Sequence, residues 1–211
     1  MRLVYLIYLQ IQKYKVAILT IRLLFSMYCR KNIWGDTSVK LDHTDDNDLS
    51  KPFKIQFVGE PAVDHGGPSR EFFSLINQHM QGSMLCGPNF HHYVVSLQKY
   101  EFMKCGQLAA KGLLQGSSVP KCFGKTVTDY ILYGNLQCLT SLLELNQFID
   151  GLKTCGVLDL IRSNPEQFRV VFQYGKVTLT ADLLDDIFQP LFSPEGSNKR
   201  TKEERLLFNS S

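Results

Sequence analysis

The six cysteines, Cys29, Cys86, Cys105, Cys122, Cys138 and Cys155, are the residues best suited to nucleophilic chemistry. None stands in a C-x-x-C pair and most lie inside apolar runs, the pattern of buried free thiols in a reducing compartment. A second group surrounds a Pro- and Gly-rich stretch, where Glu60, Asp64, Arg70 and Glu71 follow one another closely. As an acid/base set these residues have no nucleophile beside them in sequence. Their spacing suits ion pairs and N–H contacts that tie a loop to a helix start. His91 and His92 are adjacent, so on a helix they would project about 100° apart, and no cysteine or carboxylate stands at ligand spacing to complete a zinc site. Asp42, Asp45, Asp46 and Asp48 lack the glycine and terminal glutamate of an EF-hand loop, so Asp42 to Ser50 reads as a solvated connection. No metal and no cofactor is implied.

The elements that must position these groups can be read from periodicity. Phe53, Ile55 and Phe57 alternate with Lys54 and Gln56, the period of a half-buried strand. Phe72, Phe73, Leu75, Ile76 and Met80 recur at helical spacing. The strand is therefore expected to stop at Gly59, and a helix to start near Pro68, where a proline fits the first helical position. Gly66 and Gly67 would supply positive φ before it, and Asp64 and Glu71 would face its unpaired N–H groups. A strand, a Gly-rich loop and a helix could suggest phosphate binding. Here there is no G-x-G-x-x-G, Gly124-Lys125-Thr126 lacks the required upstream glycine because position 119 is Val119, and Glu60 and Asp64 would repel a phosphate.

The run Phe57-Val58-Gly59-Glu60-Pro61-Ala62-Val63-Asp64-His65-Gly66-Gly67-Pro68-Ser69-Arg70-Glu71-Phe72-Phe73 resembles the signature near the start of a HECT-type ubiquitin ligase domain, in its larger N-terminal lobe. Arg30-Lys31-Asn32-Ile33-Trp34-Gly35-Asp36 is similar to the opening of that lobe. So is Gly106-Gln107-Leu108-Ala109-Ala110-Lys111-Gly112-Leu113-Leu114-Gln115-Gly116 to a later part of it. The resemblance implies a mostly helical α+β lobe and structural roles for Gly59, Glu60, Pro61, Asp64, Gly66, Gly67, Pro68, Arg70, Glu71, Phe72 and Phe73. In the family, a smaller C-terminal lobe carries a cysteine that receives ubiquitin as a thioester and passes it to a substrate lysine. That cysteine follows a threonine and lies near an asparagine and a Leu-Pro.

No cysteine follows Phe188 here. Thr154-Cys155 is the one Thr-Cys pair, but it lacks the Leu-Pro and the asparagine and falls inside the N-terminal-lobe match. Cys155 is therefore a weak catalytic candidate, and an inert, partly buried thiol is the favoured reading. The interval from Tyr133 to Val170 is also short for the subdomain that docks the ubiquitin-conjugating enzyme. The expectation is a fragment of a HECT-type ubiquitin-protein ligase without its catalytic cysteine. The alternative is a non-catalytic HECT-like module binding ubiquitin or a conjugating enzyme. Residues 1–26 would be an apolar and basic N-terminal segment, 27–175 the lobe, and 176–211 the hinge region and the start of an incomplete C-terminal lobe.

The rest of the chain sets bounds. With 211 residues, 44% hydrophobic and 20% charged, the chain has the composition of a soluble globular protein with one real core. A formal charge of +3 argues against nucleic acid as partner. Leu3 to Phe25 begins like a signal peptide. Gln10, Gln12, Lys13 and Lys15 break it well short of the about 20 apolar residues of a membrane span, so a membrane signal is the weaker reading, and the free cysteines point to an intracellular protein, cytoplasmic or nuclear. Trp34 reads as a core anchor. Helices are expected over Tyr100 to Leu114, with Gly106, Ala109 and Ala110 permitting close contact, and over Val127 to Leu132, stopped at Gly134. Gly82 to Asn89 reads as a loop. Cys138 to Leu145 with Phe148 to Leu152 gives a broken helical pattern, and Pro165 is expected to close the segment Val157 to Ile161. Thr180 suits an N-cap for a last helix, Ala181 to Phe188.

Overall fold

The alternation at Phe53, Ile55 and Phe57 folds as expected: β2 (Phe53–Phe57) buries those three side chains and leaves Lys54 and Gln56 half-buried. It pairs in parallel with β1 (Leu24–Tyr28), in register from Leu24 opposite Phe53 to Tyr28 opposite Phe57. Parallel neighbours require a crossover. The chain supplies it with a 3₁₀ turn (Arg30–Asn32), α1 (Ile33–Asp42) and α2 (Asp46–Ser50). This computed structural model describes residues 24–60, 66–86, 89–117, 119–134 and 143–173, with 193, 197, 199 and 200. The expectations for the N-terminal segment before residue 24 and for the helix at Ala181 to Phe188 lie outside them.

The acidic stretch read as a solvated connection is instead partly helical. Asp45 caps α2, accepting the Asp48 N–H at 2.7 Å, and Leu49 plugs into the core at 2% exposure. One aspartate used as a cap and one leucine used as an anchor are enough to order it.

α3 (Gly67–Ser83) carries Phe72, Phe73, Ile76 and Met80 on its buried face, against β2. Phe72 lies 4.7 Å from the Tyr28 ring and meets Phe73 edge-on at 5.2 Å. Full burial of each such ring stabilises by about 2–3 kcal/mol. The helix runs through Gly82, where a loop was expected, because Met80 and Met84 both reach the core. A short antiparallel pair follows, β3 (Leu85–Cys86) with β4 (Asn89–Phe90).

The second core gathers around α5 (Glu101–Gln115), which follows the short α4 (Val94–Gln98). α6 (Lys125–Tyr133), α7 (Leu143–Leu152), a 3₁₀ turn (Thr154–Gly156), α8 (Val157–Ser163) and α9 (Pro165–Phe172) pack about it. Phe90, Phe123 and Phe148 form its aromatic centre, with ring centroids 5.3–5.4 Å apart. Pro165 opens α9 rather than merely closing the preceding segment, since the first turn of a helix tolerates its missing N–H. α5 and α7 cross at Gly106 and Gly151, where each backbone sits directly against the other. The small residues noted in the sequence are thus used, with Gly151 as the partner that periodicity did not single out.

The chain divides into two compact units, Arg2–Gly175 and Lys176–Ser211 with Met1. In the second, the Arg200 N–H closes a turn onto the Ser197 carbonyl at 3.1 Å. No described helix is long and apolar enough to cross a membrane.

Candidate functional site

The signature forms a corner. β2 ends at Phe57, the chain turns through Val58 and Gly59 (φ +84°), and α3 begins after Gly66, whose φ of +101° is open to glycine at no steric cost. Gly67 is helical rather than left-handed, and Pro68 sits second in the helix rather than first. Phe72 and Phe73 fix the helix to the sheet. Pro61 and Asp64 lie outside the described residues.

The cation that holds the corner is Arg30, from the turn after β1. Its Nε donates to Glu60 Oε1 at 2.6 Å and its Nη2 to Glu60 Oε2 at 2.9 Å, while Nη1 pairs with Glu71. The guanidinium lies 3.8 Å from the centroid of Phe57, over its ring. A planar fork suits this bidentate, stacked role in a way an ammonium does not. The hydrogen bond from Arg30 holds the Glu60 carboxyl below the usual range and Glu60 raises the guanidinium in return. Glu71 therefore faces Arg30 across the corner and is not in the first turn of α3, where it was expected to meet the N–H groups. Arg70 is exposed, and its guanidinium folds back over Gly66, 3.3 Å from where a Cβ would stand.

Sequence reasoning placed Arg30 in the opening of the lobe but gave no signal joining it to a glutamate 30 residues later. Arg30→Ala is expected to lower the melting temperature by about 3 °C, with Arg70→Ala affecting it less. Thermal unfolding of both variants in low salt checks this, and a larger loss from Arg70→Ala would count against Arg30 as the clamp.

Cys155 lies in the turn between α7 and α8, with φ of +55° and a half-buried side chain. Its Sγ donates to the Leu49 carbonyl at 3.7 Å and it packs against the second core. Cys105 and Cys122 are buried thiols; burial raises both, Cys122 to about 12. Trp34 stacks on His79 at 4.8 Å between the two cores, as an anchor would. His92 pairs with the buried carboxylate of Glu144, and His91 leans toward Tyr93. Among the described residues no group of three potential ligands could hold a metal ion.

A residue the sequence reading missed is Lys111 on α5. It is 2% exposed, yet its Nζ donates to the Leu49 carbonyl at 2.7 Å and the Lys51 carbonyl at 2.8 Å. The only signal was one lysine inside an apolar, small-residue run. Lys104, about two turns earlier on the same helix face, reaches Asp42 at 2.6 Å and Ser38 at 2.9 Å. Together the two lysines fasten α5 to the crossover.

No protein-family model matches the chain. Over 47 residues, 22% of this chain, it is 53% identical to the human probable E3 ubiquitin-protein ligase HERC4. Over 47 residues it is also 49% identical to human probable E3 ubiquitin-protein ligase HERC3. Over 57 residues, 27% of this chain, it is 40% identical to the E3 ubiquitin-protein ligase RSP5 of Saccharomyces cerevisiae. The matched segments span 4% of HERC4 and 7% of RSP5. The chain accordingly carries a segment similar in sequence to E3 ubiquitin-protein ligases from human and yeast.

Proposed function

We propose that this chain is part of the N-terminal lobe of a HECT-type ubiquitin ligase, a scaffold whose parent transfers ubiquitin through a cysteine thioester supplied by another lobe. The observation that carries this reading is the corner itself. The signature folds as strand, turn and helix, with Glu60 and Glu71 gathered on Arg30, in a chain similar over a quarter of its length to E3 ubiquitin-protein ligases. The partners are then ubiquitin and a ubiquitin-conjugating enzyme, with a protein substrate presented to the whole ligase. Cys155 is the inert thiol of this reading toward thioester transfer, since its sulfur points onto a backbone carbonyl at the base of a helix–helix turn.

The test is to mix the purified chain with a conjugating enzyme charged with ubiquitin. No reducible ubiquitin adduct on the chain is expected. An adduct that disappears on Cys155→Ser would overturn the assignment of the reactive cysteine to another lobe.

One observation favours a second reading, a non-catalytic module that binds ubiquitin or the conjugating enzyme. Tyr93, Val94 and Val95, consecutive at the start of α4, and Tyr100, just past its end, are each more than half exposed. Clustered exposed apolar side chains mark interaction surfaces. The same mixture separates the readings: comigration of either partner without a covalent bond supports the module.

A further inference from the structure

Tyr133, the last residue of α6, reaches across to α9 with nearly half of its surface exposed. Its hydroxyl donates to Glu166 and accepts from Arg169 Nη2 at 3.1 Å. The hydrogen bond from Tyr133 holds the Glu166 carboxyl below the usual range. Arg169 also donates to Asp129, and its Nε stands 3.5 Å from Glu166. Neither carboxylate depends on it alone. Asp129 keeps Lys125 at 2.7 Å, and the Glu166 side chain is 73% exposed, so water solvates it once it is released. A second guanidinium, Arg162 at the end of α8, lies against Gly134, the residue after the tyrosine. It donates to the Ile131 carbonyl at 3.5 Å and pairs with no carboxylate among the described residues. The tyrosine oxygen therefore already faces one arginine that can be redirected, with further positive charge beside the same helix end.

We propose that Tyr133 is a phosphorylation site whose phosphate is received by Arg169 in place of Glu166. In the transfer, the Tyr133 oxygen bonds to the γ-phosphorus of a nucleoside triphosphate as the bond from that phosphorus to the β–γ bridging oxygen breaks. The phenolic proton passes to the base of the protein kinase that holds the nucleotide, and the nucleoside diphosphate leaves. The product carries a charge of about −1.5 to −2 and no O–H, so it has nothing to donate to Glu166 and repels it. Arg169 Nη2 and Nε then face the phosphate together, in the fork geometry that suits a guanidinium. The C-terminal end of α6 opposes a dianion, but that effect is smaller than one hydrogen bond between charged groups. The Gly134 N–H caps α6 on the Tyr130 carbonyl at 2.9 Å, so a kinase needs only the last turn of the helix to open. The site requires nothing of the ubiquitin reading.

The experiment incubates the whole chain with magnesium ATP and the catalytic domain of a tyrosine kinase, and places the phosphate residue by residue by mass spectrometry. A tyrosine phosphatase is then added in low salt and the loss from Tyr133 is followed. Tyr133 is expected to take phosphate, and to lose it about tenfold more slowly than in an Arg169→Gln variant, the effect of one charge-assisted hydrogen bond that must break first. A chain that takes no phosphate at Tyr133 overturns the proposal. So do equal rates of loss from the native chain and from an Arg169→Gln variant that melts cooperatively. If that variant does not fold, salt decides on the native chain, with the phosphopeptide cut from it as reference. Protection relative to that peptide that fades between about 0.05 M and 1 M salt supports the arginine contact, and protection that is absent or constant overturns it.

Discussion

Gly151→Ala is expected to lower the stability of the lobe by about 3 kcal/mol, although the same change on an open helix would raise it by up to about 1 kcal/mol. The difference lies in what the new methyl group meets. At Gly151 an added Cβ would overlap the Met103 carbonyl oxygen and stand 2.7 Å from Gln107 N and 2.8 Å from Gly106 Cα. These are backbone atoms of α5, so no side chain can rotate aside. The two helices must move apart, and Phe102, Phe148 and Leu152, all fully buried, lose contact when they do. Gly106→Ala presses on the same crossing from the other side, against the Phe148 carbonyl and 2.9 Å from Gly151 Cα. The double variant should cost less than the sum of the two, because one separation accommodates both methyl groups. Gly82→Ala, with nothing within 4 Å, is the control and should be neutral or slightly stabilising. Urea unfolding midpoints at constant slope measure all four. A Gly151→Ala protein within 0.5 kcal/mol of the native one would mean that the crossing is looser than described.

Much of this fold was legible because short-range chemistry governs it. The period-two run at Phe53 to Phe57 and the helical run from Phe72 to Met80 say directly which faces are apolar, and the structure buries those faces. Gly116 and Gly134 stop α5 and α6 where glycine allows a left-handed cap. What periodicity could not supply was anything decided at long range. The parallel pairing of β1 with β2 and the Gly106–Gly151 crossing join segments far apart in the chain. Arg30 could be read only as a basic residue in a turn until Glu60 and Glu71 were seen around it. Asp42 to Ser50 was misjudged because a high density of carboxylates outweighed the single buried leucine that orders it. Lys111 was passed over for a related reason. A cation inside an apolar helix face looks like a blemish in the pattern, and only the two carbonyls brought to it by the crossover explain it.

Those two carbonyls make Lys111→Met the second large change, a loss of about 2 kcal/mol at pH 7. Methionine matches the lysine stem in volume, so packing is nearly kept and the effect isolates the amine. Removing it leaves the Lys51 carbonyl without its buried donor and the Leu49 carbonyl with only the weak donation from Cys155. Each unmet acceptor costs about 1–3 kcal/mol, partly offset because a charge no longer has to be buried. That offset depends on pH, and its direction is fixed. Burial lowers Lys111 from 10.5 to about 8, so between those values the unfolded chain holds a proton that the folded chain has released. Raising pH through that window therefore favours the folded native protein, while the methionine variant gains nothing from it. The neutral amine keeps two N–H groups, enough for both carbonyls. The stability gap between native and variant should thus widen from pH 8 to pH 10.5. Other lysines and tyrosines titrate alike in both proteins and cancel in the difference. A Cys155→Ser background in both keeps thiol ionisation out of it. Urea midpoints at pH 7, 8.5 and 10 give the curve, and a gap that stays flat or narrows would show that Lys111 is not held as a buried, carbonyl-bound amine.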